Sequence, residues 1–277
     1  MLAGGRSVRM GQAKAGLEWH GSTLLRRVAG IVARGVDGPV VVVRSPGQDL
    51  PTLPAEIEVL DDPTDALLQG GPLQGIAVAL AALNGRAQTA FVCATDLPFL
   101  HVAYVRRVLA AFSDDVEIVL PQVHGFRQPL AAGYATALAP LAARLVAEGR
   151  PAPKPLLDAA RTLSLDETAL LADRALRTAD PDLLSVLNLN DRGAYDTARA
   201  LPAPAVTVER FGVLATGGKS GVRHVRAATL GAAADAVGLT LDRYVLAAVN
   251  GDQTGRDPET PLVTGDLVAF LSADAGG

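Results

Sequence analysis

The chain has one cysteine, few aromatic residues and no long apolar run, and each shortage excludes a class of protein. Cys93 stands alone among 277 residues, which excludes an internal disulfide and a cysteine-based zinc site and favours a reducing compartment. No apolar stretch approaches the roughly 20 residues of a membrane-spanning helix. A net charge of −4 offers no basic surface. We expect a cytoplasmic protein without a secretion signal, with neither nucleic acid nor membrane as partner.

The residues that are abundant allow substantial cores. Apolar residues make up 49% of the sequence while aromatic residues make up 4%, so small and aliphatic side chains carry the packing. A chain of this length holds one large domain or two smaller ones. The sequence predicts a first domain over residues 1–201, a proline-containing linker over 202–205 and a second domain over 206–277.

Strand-like and helix-like patterns alternate in the first domain. This order predicts an α/β fold of the Rossmann-like kind, with a mostly parallel sheet covered by helices on both faces. The expected helices are 22–34 (with Ser22 as N-cap), 75–83 and 102–112. The expected strands are 40–43, 57–60, 91–94, 118–120 and 184–189. Cys93 falls in one of these apolar strands, where a small buried residue is expected.

A glycine-containing loop stands almost at the first residue. Ala3, Gly4 and Gly5 are small enough for backbone N–H groups to approach a base or a phosphate. Arg9 and Lys14 follow, and they are natural counter-charges for a triphosphate and its leaving pyrophosphate. The loop therefore predicts a nucleotide site.

The whole string from Leu2 to Gly11 resembles the signature of nucleotidyltransferases of the molybdenum cofactor guanylyltransferase (MobA-type) family. Further landmarks follow in the family's order over nearly all of residues 1–200. They are Val59-Leu60-Asp61-Asp62, Gly71-Pro72-Leu73-Gln74-Gly75, Thr95-Asp96-Leu97-Pro98, Arg127-Gln128-Pro129-Leu130 and Asn188-Leu189-Asn190.

This resemblance implies a function and a set of site residues. Mg²⁺-dependent transfer of GMP from GTP to the phosphate of molybdopterin, with or without its molybdenum, would give a guanine dinucleotide cofactor. The implied nucleotide-binding residues are Leu2, Ala3, Gly4, Gly5, Lys14, Asp62 and Asp96. The implied catalytic residues are Arg9, Lys14 and Asp96, with Asp96 also the ligand of Mg²⁺ and Arg127 the contact to the acceptor. The loop 149–154 is a further candidate to meet the acceptor.

Two details bear on the choice of nucleotide. Leu-Ala-Gly-Gly is the guanylyl form of the loop, whereas cytidylyl relatives more often have Leu-Ala-Ala-Gly. Arg44, however, stands where the guanylyl family tends to place an asparagine, and arginine has no acceptor. A cytidylyltransferase acting on molybdopterin and a sugar-phosphate nucleotidyltransferase are therefore alternatives.

The start of the sequence raises a separate expectation. In this fold a central strand delivers the chain into the glycine loop, yet only Met1 precedes Leu2. We hypothesise that a few apolar residues belong upstream, and the alternative is that another segment fills the central position in the sheet.

The second domain carries its own resemblance. A ββαββ pattern in about 70 residues fits a small α+β domain of the ubiquitin-like β-grasp kind. The segments 245–251 (VLAAVNG), 261–270 (PLVTGDLVAF) and the final Gly276-Gly277 resemble the MoaD/ThiS family of sulfur carriers. The resemblance implies that the Gly277 carboxylate is adenylated and becomes a thiocarboxylate. The implied partners are an adenylating enzyme and the large subunit of molybdopterin synthase. A further alternative is a protein that is mainly a carrier, with an impaired transferase half.

Overall fold

The computed structural model describes residues 1–4, 14–63, 71–215 and 221–272. Up to residue 199 the strands are β1 (Glu18–Trp19), β2 (Ser22–Thr23), β3 (Val40–Arg44), β4 (Ile57–Asp61), β5 (Thr89–Cys93), β6 (Ile118–Val123), β7 (Phe126–Arg127), β8 (Ala131–Ala135) and β9 (Thr162–Leu165). The helices are α1 (Leu24–Gly35), α2 (Pro72–Leu83), α3 (Val102–Leu109), α4 (Ala139–Ala147), α5 (Lys154–Ala159), α6 (Glu167–Leu171), α7 (Arg174–Ala179) and α8 (Arg192–Arg199). In the part of the chain that is described, every helix is too short or too polar to cross a membrane.

Most of these strands join into one mixed sheet. Its order is β4, β3, residues 1–3, β5, β8, β6 and β9. Only β8 runs against the others in this order, since it pairs antiparallel with both β5 and β6. The expected α/β architecture is confirmed, and the strands that run in the same direction end at a common edge, where ligands bind in such sheets.

The apolar run that begins β3 shows why the sheet is buried on both faces. Val40 and Val42 belong to the core under α1 and α3, whereas Val41 and Val43 belong to the core under α2 and α4. Because side chains alternate along a strand, only a strand covered on both sides accepts four consecutive valines. Cys93 is fully buried in the first of these cores, and its burial raises the pKa of the thiol to about 11, as expected of an inert strand residue.

The central position of the sheet is occupied by the first residues of the sequence. The backbone N–H of Leu2 donates to the Cys93 carbonyl at 2.8 Å, and that of Ala3 donates to the Val43 carbonyl at 2.8 Å. Val43 in turn donates to the Met1 carbonyl at 2.9 Å. Three residues are thus enough to connect β3 with β5, and the hypothesis of further residues upstream stays a prediction.

Two expectations about individual segments are wrong. The N-cap of α1 is Thr23, whose hydroxyl accepts from the Arg26 N–H, while Ser22 lies in β2. The segment expected as a strand at 184–189 begins instead as a 3-10 turn, Leu184–Val186. The Asp180 carboxylate accepts from the N–H groups of residues 184 and 185 at 2.7 and 2.9 Å, which favours a turn over an extended strand.

The remaining residues form a second sheet with one helix. Its elements are β10 (Ala205–Arg210), β11 (Val222–Arg226), α9 (Leu230–Ala236), β12 (Val245–Val249), β13 (Asp252–Thr254) and β14 (Leu267–Ser272). The sheet order is β11, β10, β14, β12 and β13, with β10 and β14 parallel. The expected ββαββ pattern did not include β13, and β10 ends before Gly212, where the chain turns at a φ of +60°. We call residues 205–272 the C-terminal part.

Candidate active site

The glycine-containing loop leaves the sheet at the edge where the parallel strands end. Gly4 is so close to the chain after β3 that an added Cβ would lie 3.0 Å from Ser45 Oγ and 3.2 Å from Ser45 N. A side chain at position 4 would therefore need a shift of that loop. Gly5 and Arg9 lie outside the described residues, so their predicted roles stay predictions.

Lys14 and Asp96 form the charged centre of this edge. Lys14 Nζ donates to Asp96 Oδ2 at 2.7 Å, and their side chains are only 21% and 16% exposed. Lys14 opens a 3-10 turn that precedes α1, and Asp96 follows β5 at its carboxyl end. The Asp96 carbonyl also accepts from the Leu189 N–H at 3.1 Å, which brings the Asn-Leu-Asn segment to the same place. Two residues separated by 82 positions are thereby held in direct contact.

Thr95 connects this centre to the first residues of the sequence. Its side chain is buried, and its hydroxyl donates to the Leu2 carbonyl at 3.0 Å. This bond fixes the strand end that carries Asp96 against the segment that leads into the glycine loop. The sequence placed Thr95 in a motif but assigned it no role.

The loop after β3 carries a second contact that the sequence did not reveal. The Gln48 amide donates from Nε2 to the Ala3 carbonyl at 3.0 Å and accepts at Oε1 from the Ser45 N–H at 3.1 Å. A single glutamine in a loop has no sequence signal of its own, because its two partners are backbone groups brought close by the sheet. Gln48 therefore joins the loop after β3 to the segment that leads into the glycine-containing loop.

Arg44 and the acidic pair at the end of β4 lie beside that contact. Arg44 Nε donates to Asp61 Oδ1 at 2.7 Å, so the arginine found in place of an asparagine is paired with Asp61. The Asp62 N–H donates to the Arg44 carbonyl at 2.7 Å. Asp62 Oδ1 is buried and accepts no hydrogen bond among the described residues.

The Gly-Pro-Leu-Gln-Gly segment starts α2 at this edge. Pro72 is the first helical residue and Gly71 the N-cap, so the helix begins three residues earlier than expected. Gly75 faces Leu2, because an added Cβ would lie 2.9 Å from Leu2 Cδ2. An added Cβ on Gly71 would lie 2.3 Å from the Pro151 carbonyl oxygen, so close packing explains both glycines of the motif.

Arg127, the predicted acceptor contact, lies in β7 and is exposed. The charges of Arg127 and Arg150 reach Asp158, which also accepts a hydrogen bond from Lys154. That hydrogen bond and these positive charges lower the pKa of the Asp158 carboxyl. The positive charges of Arg127, Arg150 and Lys154 thus all act on the carboxyl of Asp158. Pro151 of that loop accepts from the Leu73 N–H at 3.1 Å, which connects the group to the start of α2.

A cavity of about 330 Å³ lies at the opposite edge of the sheet. It is lined by the first residues of β3 and β5 and by the ends of α1 and α2. Lys14, Asp62 and Asp96 do not line it, so the candidate site lies at the carboxyl edge and apart from this cavity.

Charge neutralisation at the carboxyl edge of an α/β sheet is what transfer of a nucleotidyl group requires, and the chain is a nucleotidyltransferase. Residues 1–163 match the MobA-like NTP transferase domain family. The chain belongs to that family.

Two relatives agree with this assignment, and a solved structure shares the fold. A protein named probable molybdenum cofactor guanylyltransferase in Mycobacterium tuberculosis H37Rv is 40% identical over 169 residues, which cover 60% of this chain and 81% of the relative. Its counterpart in Mycobacterium avium is 37% identical over 179 residues, covering 62% and 87%. The structure of molybdopterin-guanine dinucleotide biosynthesis protein A from Archaeoglobus fulgidus has a TM-score of 0.54 and 22% identity, covering 72% and 94%. That likeness shows the fold. The recognition of a MobA-type first domain is confirmed, and a fused sulfur-carrier domain stays a prediction.

Proposed function

We propose that the chain transfers GMP from GTP to the phosphate of molybdopterin, with or without its molybdenum. The observation that carries this proposal is the contact of Lys14 Nζ with Asp96 Oδ2, 2.7 Å long, at the edge where the glycine-containing loop leaves the sheet. The names of the relatives support both the nucleotide and the acceptor.

The residues at this edge suit phosphoryl chemistry without a protein nucleophile. An oxygen of the acceptor phosphate attacks the α-phosphorus of GTP, the new P–O bond forms, and pyrophosphate leaves with the electrons of the broken bond. Such a reaction needs positioning and charge neutralisation. Lys14 would bind phosphate oxygens, and the predicted role of Arg9 is the same. Leu2 and Ala3 use their N–H groups within the sheet and would lie beside the nucleotide, so Gly4 is the described loop residue that would offer its backbone N–H to it.

Asp96 fits the divalent metal that this chemistry uses. Among the described residues no group of three or more His, Cys, Asp or Glu side chains is arranged to hold a metal ion. Mg²⁺ does not need such a group, since it is commonly bound through one or two carboxylates, water and substrate phosphates. Asp96 would hold the ion, which when bound neutralises charge on the triphosphate. The pairing with Lys14 keeps this carboxylate at the carboxyl edge.

The β3–β4 edge offers the contact that would favour guanine. A carboxylate matches the neighbouring N1–H and N2–H₂ donors of guanine, and Asp62, directly after β4, is the predicted contact to the base. Arg44, where an asparagine was expected, is paired with Asp61. The side-chain amide of Gln48 in the same loop is bonded to Ala3 and Ser45.

The nucleotide preference of the intact protein tests this proposal. With Mg²⁺ present we expect GTP to bind at least about tenfold more tightly than CTP or ATP, and Lys14→Ala to weaken GTP binding by about tenfold or more, since a charge-assisted contact is lost. Equilibrium binding of fluorescent nucleotides measures both. Arg86→Ala is the matched control, because Arg86 pairs with Glu58 and lines the cavity at the opposite edge.

Each other outcome has a clear meaning. A preference for CTP would replace the guanylyl proposal with the cytidylyl alternative. If no nucleotide binds, the transferase proposal fails and the carrier alternative remains.

We further propose that the C-terminal part belongs to a β-grasp sulfur-carrier domain, predicted over residues 206–277. Its support is a five-stranded sheet with parallel β10 and β14 at its centre and α9 against one face. The two motifs that carry the resemblance meet, because Asn250 Nδ2 donates to Asp266 Oδ1 at 2.8 Å and Asn250 Oδ1 accepts from the Leu267 N–H at 2.8 Å. Leu267 and Leu271 are both 38% exposed and leave apolar surface for partner proteins on β14.

Mass spectrometry of the intact protein tests the carrier proposal. Gly277 lies outside the described residues. Its carboxylate would attack the α-phosphorus of ATP, with pyrophosphate leaving. Sulfide would then attack the carbon of the acyl adenylate, and AMP would leave with one former carboxylate oxygen. We expect protein incubated with ATP, a sulfide donor and an adenylating enzyme to gain the mass of sulfur less oxygen. Protein extended by one residue beyond Gly277 is the control. No gain with any adenylating enzyme of the molybdopterin or thiamine type would contradict the proposal.

A further inference from the structure

Helix α1 forms much of the contact between the nucleotidyltransferase fold and the C-terminal part. Arg34 donates from Nη1 and Nη2 to the buried carboxylate of Asp266 at 2.9 and 2.6 Å. Arg26 pairs with Asp257 and Glu259. The helix lies so close to the loop before β14 that a Cβ on Gly30 would lie 2.6 Å from Pro261 Cγ. The contact is therefore closely packed and charge-paired along the length of α1.

Arg27 differs from these neighbours because it reaches three segments at once. Its side chain is buried, and Nε donates to the Pro98 carbonyl at 2.7 Å. Nη1 donates to the Ala228 carbonyl at 3.0 Å and Nη2 to the Leu262 carbonyl at 3.2 Å. Burial lowers the pKa of its guanidinium to about 10, which leaves Arg27 charged at neutral pH. A buried charge must keep its hydrogen bonds, so the three carbonyls stay at fixed positions around it.

One of those carbonyls belongs to the loop that carries Asp96. Pro98 lies two residues after Asp96, and the same loop ends at His101, the N-cap of α3. His101 accepts at Nδ1 from the Ala103 N–H at 3.0 Å, so its Nε2 carries the proton that bonds to the Thr264 carbonyl, also at 3.0 Å. The loop over residues 95–101 is thus attached to the C-terminal part at two points, directly at His101 and through Arg27 at Pro98.

We propose that the C-terminal part, docked on α1, is a positioning element of the nucleotidyl-transfer site: it holds the loop over residues 95–101 so that Asp96 stays beside Lys14. This inference rests on the proposed nucleotidyl transfer. Arg27 is then a positioning residue that acts through Pro98. Because coupling between two sites is reciprocal, binding of the metal–nucleotide complex at Asp96 also strengthens the docking of the C-terminal part.

Hydrogen exchange of the intact wild-type protein tests the coupling without measuring activity. The Leu262 N–H donates to the Ala228 carbonyl and the Leu230 N–H to the Thr260 carbonyl, each at 2.9 Å, so both amides report on the docked segments. Saturating GTP with Mg²⁺ should slow their exchange several-fold. Unchanged exchange at saturation would overturn the inference even if GTP binds as proposed.

A pair of neighbouring arginines supplies the matched variants. Arg27→Lys keeps the charge but cannot make three divergent hydrogen bonds, so we expect about tenfold weaker binding of Mg²⁺–GTP and no slowing of exchange. Arg26→Lys perturbs the same interface, but Arg26 does not contact the loop over residues 95–101. We therefore expect its affinity for Mg²⁺–GTP to change by less than about twofold.

Two results would contradict the inference while GTP still binds: unchanged exchange in the wild-type protein, and equal effects of the two arginine variants. Equal effects of Arg27→Lys and Arg26→Lys at matched thermal stability would reduce Arg27 to an interface residue. If Arg27→Lys fails to fold, the wild-type exchange experiment decides alone. Absence of GTP binding by wild-type protein would overturn the proposed function and this inference with it.

Discussion

Replacing Asp96 by asparagine is expected to lower nucleotidyl transfer by about a hundredfold to a thousandfold, the cost of losing a principal charge contact in a transition state. The amide is a poor ligand for Mg²⁺ and carries no charge to pair with Lys14. Because the Asp96 side chain is partly exposed, the fold should survive. Pyrophosphate release from GTP with Mg²⁺ and molybdopterin measures the loss, and thermal unfolding checks the fold.

Asp37→Asn is the control for this experiment. Asp37 is exposed and lines the cavity at the opposite edge of the sheet, so its neutralisation should leave transfer unchanged. Transfer by Asp96→Asn within tenfold of wild type would show that Asp96 is not the metal-binding carboxylate.

Replacing Gly71 by alanine is expected to lower the free energy of unfolding by about 2–3 kcal/mol and to raise the KM for molybdopterin. The added Cβ would lie 2.3 Å from the Pro151 carbonyl oxygen, a backbone atom that cannot move alone. That carbonyl accepts from the Leu73 N–H, so a shift breaks a bond at the start of α2. The same shift moves the loop that carries Arg150 and Lys154. Denaturant unfolding and the KM for molybdopterin measure the two effects.

Gly38→Ala provides the comparison, since an added Cβ there meets nothing within 4 Å and its φ lies outside the left-handed region. We expect a change of about 0.5 kcal/mol or less. Equal stability of the Gly71 and Gly38 variants would mean that the α2 start and the loop 149–154 separate at little cost.

Much of the fold could be predicted because local pattern and burial agree. The valines of β3 require a strand covered on both faces, and the structure covers them with α1 and α3 on one face and α2 and α4 on the other. The expected order ββαββ is present as β10, β11, α9, β12 and β14, with β13 as an additional strand. The glycine loop and the Thr-Asp motif pointed to nucleotide transfer, which the family assignment confirms.

The errors arose where a distant or side-chain group overrides local pattern. The apolar residues at 184–189 suggested a strand, but the Asp180 carboxylate captures two of their N–H groups and forms a turn. Ser22 resembles an N-cap in sequence, yet its hydroxyl donates to Glu259 Oε2 at 2.9 Å, 237 residues away. Nothing local distinguishes it from Thr23, which performs the capping.

The sequence by itself determined which residues can do the chemistry: a glycine-containing loop, Lys14 and Asp96 in motifs whose spacing is typical of a nucleotidyltransferase. The tertiary structure decided which of them meet, because the contact between Lys14 and Asp96 spans 82 positions and exists only when β5 lies beside the first residues. It also decided the roles of Thr95, Gln48 and Arg27. Their partners are backbone N–H and carbonyl groups, and such a group has no sequence identity until folding places it within hydrogen-bond distance of a side chain.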